Sequence, residues 1–211
     1  MSPRPRKVTD DDVFAAAYRA INRLGPWDLT LAEIAGEAGV TAGALVQRFG
    51  SKRELLLALS AGAAASAGEL IRGLQATHRS PLAALRAYVE CMASLAASPD
   101  ALARNLAYLQ IDLTDPEFRR HLFVQAQATR AGLHALLESG LARGELVAGT
   151  NPGRLARTIE ALVGGSMLTW ALYREGTAVR WMLDDLEAVL APYLVKRRAP
   201  RRGRKAGNRS R

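Results

Sequence analysis

The sequence predicts an all-α fold of about nine helices. Helix-capping residues recur along the chain at intervals of helical length, and several of them are followed directly by proline. Between these caps, apolar residues return every three or four positions, which is the period of a helix with one buried face. No segment shows the sustained alternation of a half-buried strand. With 211 residues the chain can bury one sizeable and one small core, so we expect one or two domains.

The first predicted helix begins at a capping box on Thr9 and ends at the pair Gly25-Pro26. Its apolar stripe should cover the two helices that follow. We expect Trp27 and Leu29, in the connection after it, to be buried against that corner. The stripe consists of Phe14, Ala17, Ile21 and Leu24.

The segment 30–49 is predicted to form two short helices joined by a tight turn. Thr30 and Glu33 form a capping box, in which the hydroxyl and the carboxylate each satisfy one backbone N–H. Gly39 can adopt the left-handed conformation at the end of the first helix, and Thr41 can cap the second. This spacing is typical of a helix-turn-helix, although an ordinary corner between helices has the same pattern.

These residues resemble the DNA-binding domain of the tetracycline-repressor (TetR/AcrR) family of transcriptional regulators. The resemblance covers about fifty residues, 9–59, and implies a helix-turn-helix domain there, followed by an effector-binding and dimerisation domain at 60–195. One departure is Val46, where the family usually has a tyrosine that contacts a phosphate, so Val46 is not counted as a contact. The matching positions are Thr30, Ile34, Ala35, Ala38, Gly39, Val40, Thr41, Gly43, Leu45, Phe49, Ser51, Lys52, Leu55 and Leu56.

Under this resemblance the second helix of the motif would enter the major groove of a double-stranded operator. Small residues at its start, including Gly43, would let the backbone approach the DNA closely. Gln47 suits an adenine edge and Ala44 a thymine methyl, while Arg48 would hold a phosphate or face solvent. Ala42, Ala44 and Gln47 are the expected base contacts. The expected phosphate contacts are Thr30, Thr41, Lys52 and Arg53.

The net charge of +9 is concentrated at the two ends of the chain. Residues 1–7 and 196–211 hold twelve of the 29 basic residues and no acidic ones, so residues 8–195 carry 17 basic against 20 acidic side chains. We expect a basic arm at 1–8 and a disordered basic tail at 196–211 that contact a polyanion, although such ends also serve solubility alone.

The helices between Pro81 and Gly140 supply many apolar side chains and few polar ones, which favours a pocket for a small, mostly apolar effector. Binding there would release the operator, with the glycine-bearing helix from Ser51 to Thr77 as the connector. Each candidate for the lining could instead be plain core. The candidates are Tyr88, Met92, Tyr108, Gln110, Phe123, Gln127, Met167 and Trp170.

The last two helices, which begin after Asn151 and Thr177, are apolar on more than one face. Two such helices from each of two chains would form a four-helix bundle, so we interpret them as a homodimer interface, as the resemblance also implies. The alternative is a pair buried within one monomer. The expected interface residues are Leu155, Ile159, Leu162, Gly164, Gly165, Met182, Leu186, Val189 and Tyr193.

Several other classes of protein are disfavoured. Cys91 is the only cysteine, and the three histidines lack the spacing of a metal motif, so we expect neither a metal nor another cofactor. No catalytic grouping is present, which disfavours an all-helical enzyme. The sequence has no run of 18 apolar residues, so we expect a cytoplasmic protein without membrane contact. A non-specific architectural nucleic-acid binder remains the alternative to a sequence-specific regulator.

Overall fold

The computed structural model describes residues 8–96 and 98–195, and in these residues it confirms the predicted all-α fold. Beside the helices it holds one short 3₁₀ helix, Ala191–Tyr193, and an isolated bridge between Leu146 and Leu194. The basic residues of both predicted terminal arms lie outside the described residues. The nine α-helices are α1 (Asp10–Asp28), α2 (Leu31–Ala38), α3 (Ala42–Phe49), α4 (Lys52–Thr77), α5 (Pro81–Ser94), α6 (Pro99–Thr114), α7 (Pro116–Ala142), α8 (Pro152–Tyr173) and α9 (Ala178–Leu190).

The helices begin at the capping residues that the sequence indicated. Thr9 and Asp12 form a complete capping box, in which side chain and backbone satisfy each other in both directions. At Thr30 only half of the predicted box forms: the hydroxyl accepts from the Glu33 backbone N–H at 3.2 Å. The Glu33 carboxylate does not reach back to the cap, because it accepts from Arg23 Nη2 at 2.7 Å instead.

Helix α1 bends sharply where the sequence predicted its end. Gly25 has φ +75° and ψ 176°, a conformation that is nearly restricted to glycine, and one further turn containing Pro26 follows. The bend directs Leu29 into the core, as predicted, with 1% of its surface exposed. It turns Trp27 outward, and the prediction that Trp27 is buried is wrong, since 73% of it is exposed.

Two hydrophobic cores lie at the two ends of α4. The N-terminal core joins α1, α2, α3 and the first turns of α4, and it also includes Phe118 from the first turn of α7. The C-terminal core joins α5, α7, α8 and α9 around Leu136, Ile159 and Met182. The N-terminal core is therefore completed by a residue far outside 9–59.

Helix α4 contributes to both cores, with Leu55 and Leu59 in the N-terminal one and Ile71 in the C-terminal one. Within the described part of the chain it is the single helix long and apolar enough to span a membrane by length and composition, and four of its five buried residues belong to these two cores. Gly132 on α7 makes the crossing with α4 close, because an added Cβ there would lie 2.8 Å from the Ile71 Cδ1.

Candidate nucleic-acid interface

The turn between α2 and α3 is fixed by local hydrogen bonds. Gly39 adopts the left-handed conformation at φ 68° and ψ 32°, and its N–H bonds back to the last turn of α2. Ile34 on α2 and Leu45 on α3 are fully buried in the N-terminal core. With one face of each helix anchored in this way, the opposite face of α3 is held rigidly toward solvent.

The outward face of α3 is formed by short side chains and one long amide. Gly43, Ala44 and Gln47 are exposed, whereas Ala42 is half-buried and packs against the N-terminal core, which makes it a poorer base contact than expected. An added Cβ on Gly43 would meet only the Thr41 Oγ1, at 4.0 Å. The fold itself thus does not require glycine at this position, so any close approach that the glycine permits is to something outside the chain.

The two threonines proposed as phosphate contacts are both N-caps. Thr30 Oγ1 accepts from the Glu33 N–H at 3.2 Å, and Thr41 Oγ1 accepts from the Ala44 N–H at 3.1 Å. A hydroxyl that accepts one hydrogen bond still has its own hydrogen to donate. Each threonine can therefore cap its helix and bind a phosphate oxygen at the same time.

The basic side chains around α3 are already engaged within the chain. Lys52 Nζ donates to the Leu29 carbonyl at 2.7 Å, which leaves two ammonium hydrogens and ties the start of α4 to the connection before α2. Arg48 forms an ion pair with Asp10 and donates to the Val8 carbonyl at 2.9 Å. Arg48 was expected either to hold a phosphate or to face solvent. To hold a phosphate it would have to exchange these bonds.

Arg53 is held by two carboxylates at the beginning of α7. Its Nη2 lies 2.8 Å from Asp115 Oδ2 and its Nη1 lies 2.6 Å from Glu117 Oε2, while the guanidinium lies 5.6 Å from the centre of the Phe118 ring. The hydrogen bond to Asp115 is the main cause that raises the pKa of Arg53, and the same bond lowers the pKa of Asp115. Arg53 thus serves a contact between α4 and α7 in this structure, in competition with its predicted phosphate contact.

A mostly apolar cavity of about 640 Å³ lies between the two cores, but it is not the pocket that the sequence predicted. Of the eight candidates, only Met92 and Met167 line it. Tyr88 and Trp170 are buried in the C-terminal core, and Tyr108 packs against the N-terminal core. Three others, Gln110, Phe123 and Gln127, are exposed on the surface.

The predicted homodimer interface also needs correction. The structure buries Leu155, Ile159, Met182 and Leu186 inside the C-terminal core, each at most 3% exposed, so these four do not face a second chain. They are apolar because they pack α8 and α9 onto their own monomer. Partly buried residues of the same core make up the next group: Leu162, Val189 and Tyr193.

The remaining apolar surface of α8 is open. Gly164 and Gly165 are exposed with no other atoms near an added Cβ, and Leu168 and Leu172 follow on the same side of the helix. We call these four residues the α8 stripe. Leu172, in the last turn of α8, is 72% exposed and extends this apolar surface to the end of the helix.

Comparison with known proteins agrees with this arrangement of helices. The family model of bacterial regulatory proteins of the TetR family matches residues 13–59, and the model of the tetracyclin repressor-like C-terminal domain matches residues 81–186. The chain belongs to the TetR family. It is accordingly a DNA-binding transcriptional regulator with a helix-turn-helix, and the resemblance inferred from 9–59 is confirmed.

Several solved TetR-family structures share the fold. A TetR transcription regulator from Haloarcula marismortui is 19% identical with a TM-score of 0.70, over 88% of this chain and 98% of that one. The fatty acid degradation regulator FadR from Bacillus halodurans is 17% identical with a TM-score of 0.66, over 86% and 98%. SmeT, the repressor of the Stenotrophomonas maltophilia multidrug efflux pump SmeDEF, is 22% identical with a TM-score of 0.60, over 90% and 92%. A search of curated proteins gives no match.

Proposed function

We propose that this TetR-family chain is a cytoplasmic homodimeric repressor that binds a pseudo-palindromic operator and is released from it by a small, mostly apolar ligand. The observation that carries the DNA-binding part is the outward face of α3, where Gly43, Ala44 and Gln47 are exposed on a helix anchored through Leu45. A rigid helix with small residues at its start and one long amide suits insertion into a major groove.

The contacts to DNA divide into two kinds in this proposal. Thr30, Thr41 and Lys52 bind phosphates, since the hydroxyls have a hydrogen to donate and the ammonium has two. Gln47 and Ala44 read base edges. Arg53 joins the phosphate contacts only if its bonds to α7 are exchanged.

Other observations support the dimeric state, the repressor role and the ligand in this proposal. Two copies that pair through the α8 stripe would cover Leu168 and Leu172 and would present two α3 helices to successive major grooves. SmeT is described as a repressor of a multidrug pump and FadR as a regulator of fatty acid degradation, and both have this fold. The apolar cavity of about 640 Å³ supplies a site of suitable size for a small molecule.

Selection from a random duplex library tests the function directly. The full chain should enrich an inverted repeat with half-sites about one helical turn apart. Gln47→Ala should then weaken binding to the selected site by roughly 1–3 kcal/mol and relax the preference at one base pair of each half-site.

Gln75→Ala is the matched control, because Gln75 is an exposed glutamine near the far end of α4. It should leave both affinity and preference unchanged. Enrichment of no motif, together with a steep dependence on salt, would indicate the architectural binder instead. Equal effects of the two glutamine variants would remove Gln47 from base readout.

A further inference from the structure

The wall of the cavity comes partly from the DNA-binding unit, by which we mean α1 to α3. Three of its lining residues lie on α1 at positions 15, 18 and 22, a spacing that places them along one side of the helix. The other side of α1, with Val13, Ala17 and Ile21, packs in the N-terminal core. Helices α4, α5, α6 and α8 complete the wall. The lining residues are Ala15, Tyr18, Asn22, Leu70, Cys91, Met92, Leu95, Leu102, Asn105 and Met167.

Helix α1 is tied firmly to the rest of the DNA-binding unit. Arg23 pairs with Glu33 at 2.7 Å and with Glu37 at 3.4 Å, and Arg19 pairs with Glu37 at 3.3 Å, so that three ion pairs join α1 to α2. Because α1 also shares the N-terminal core on its inner side, we expect it to move together with α2 and α3. A displacement of α1 would therefore change the position of α3.

The junction of α1 with the effector half is made by a few polar bonds beside the cavity. Asn105 Nδ2 donates to Asn22 Oδ1 at 2.6 Å, and Arg104 Nε donates to the Asn22 carbonyl at 2.5 Å. Asn22 and Asn105 both line the cavity. A hydrogen-bonding group inside the cavity would compete for this amide pair, which holds α1 to α6.

The chemistry of the lining limits the class of ligand. None of the lining residues carries a charge, so an ionised ligand would enter without a partner and lose its hydration. Leucine and methionine side chains favour an apolar body. The hydroxyl of Tyr18 and the two amides of Asn22 and Asn105 offer hydrogen bonds where α1 meets α6.

We propose that this cavity is the effector site and that its ligand, an uncharged and mostly apolar molecule with one or two hydrogen-bonding groups, acts on DNA affinity by pressing directly on α1 through Tyr18 and Asn22. The inference rests on the proposed function and names the wall through which the ligand acts. The connector α4 touches the cavity only through Leu70, whereas α1 contributes three residues.

Cys91 gives a means to test this without knowing the ligand, because it lines the cavity and is the only cysteine of the chain. N-cyclohexylmaleimide, an uncharged apolar probe, is coupled to the native full chain, and one adduct is verified by mass spectrometry. The adduct should weaken binding to the selected operator by roughly 5- to 150-fold. Cys91→Ser, treated identically, should retain its affinity.

Two truncations of the wall distinguish a push on α1 from a general effect of filling the cavity. Tyr18→Ala removes the largest of the three α1 side chains in the wall, and Leu95→Ala shortens an exposed side chain of the same cavity at the end of α5. Tyr18→Ala should reduce the effect of the adduct at least threefold, while Leu95→Ala should preserve it. Two outcomes would overturn the proposal. One is that both variants reduce the effect of the adduct equally. The other is that the adduct changes the operator affinity of the unsubstituted chain by less than twofold.

The rate at which Cys91 reacts tests whether the cavity admits a ligand and which class of ligand it binds. If Cys91 reacts only in urea, the cavity does not admit a ligand, and the proposal fails. In native protein, 1-octanol should slow the coupling more than octanoate does, and equal or greater protection by octanoate would contradict the uncharged class. Failure of the proposed function would be distinct, since the untreated chain would then select no operator at all.

Discussion

Asp112 on α6 is the residue whose ionisation is most clearly coupled to folding. Its Oδ1 is buried and has no hydrogen-bond partner in the described part of the chain. This burial raises the pKa of the Asp112 carboxyl from 3.8 to about 6. Between these two values the unfolded chain has released the proton while the folded chain still holds it, so the free energy of unfolding falls as the pH rises through this window.

Replacing Asp112 by asparagine should remove that dependence. Two pKa units correspond to about 3 kcal/mol, and because the side chain is only partly buried we expect a gain of about 1–2 kcal/mol in the free energy of unfolding at pH 7. Near pH 4 the variant and the unvaried chain should be equally stable. Urea unfolding at several pH values between 4 and 8 measures both.

The exposed Asp184 supplies the control for this variant. Asp184→Asn loses only a surface ion pair with Arg180, which is worth a few tenths of a kcal/mol. The free energy of unfolding of Asp112→Asn could instead depend on pH in the same way as that of the unsubstituted chain. That result would show that ionising Asp112 does not destabilise the folded chain.

At the residue scale, the sequence predicts what depends on near neighbours. The caps at Thr9 and Thr41 are found as predicted, and at Thr30 the hydroxyl cap forms without the Glu33 half of the predicted box. The exposure of Trp27 depends on the direction in which the chain leaves Gly25, which no local pattern encodes. Tyr18 and Asn22 were missed as cavity residues because polar side chains on the outer side of α1 look like solvent contacts.

At the scale of the elements, α1 is bent at Gly25, which has a positive φ. The bend at Gly25 occurs where the Arg104 side chain crosses from α6, and a Cβ added to Gly25 would lie 3.4 Å from Arg104 Cγ. The bend and the Asn22 bonds thus occupy the same junction between α1 and α6.

Gly25→Ala should lower the free energy of unfolding by about 1–3 kcal/mol, because alanine is strained at φ +75°. Gly73→Ala is the matched control, since Gly73 is helical with open space around it. That change should raise stability by up to about 1 kcal/mol. Chemical denaturation of both variants measures the contrast, and an unchanged midpoint for Gly25→Ala would mean that the chain can relax the bend.

At this scale the period of apolar residues predicted the existence of the helices but not their partners. Helices α8 and α9 are apolar on two sides, and the sequence alone could not say which side faces the monomer. The structure assigns Ile159 and Met182 to the monomer core and leaves the α8 stripe open. That division depends on where α5 and α7 pack, which is a property of the whole fold.

For the molecule as a whole, the α8 stripe is the surface that we expect to join two copies. Gly165→Arg should prevent dimer formation, because an arginine buried there without a partner costs several kcal/mol. The monomer itself accommodates the side chain, since no atom lies within 4 Å of an added Cβ. Sedimentation should show a folded monomer, which should bind the full operator weakly.

The same substitution elsewhere supplies the control. Gly73→Arg adds an equal charge to an open position on α4 and should leave the dimer intact. If Gly165→Arg still sediments as a dimer, the two copies meet through another surface and the assignment of the α8 stripe is wrong.

The place of Phe118 bears on how this regulator can be rebuilt. One way to rebuild it is to join the helix-turn-helix domain, residues 9–59, to the effector domain of another regulator. Here the N-terminal core is completed by Phe118, and Arg53 binds Asp115 and Glu117 beside it. Residues 9–59 taken alone would lack the Phe118 ring in their core, and Arg53 would keep only Glu54, at 3.9 Å, of its three carboxylate partners. A working hybrid would have to include the first turn of α7 together with residues 9–59. Otherwise the other regulator would have to supply an aromatic ring and two carboxylates at the same place.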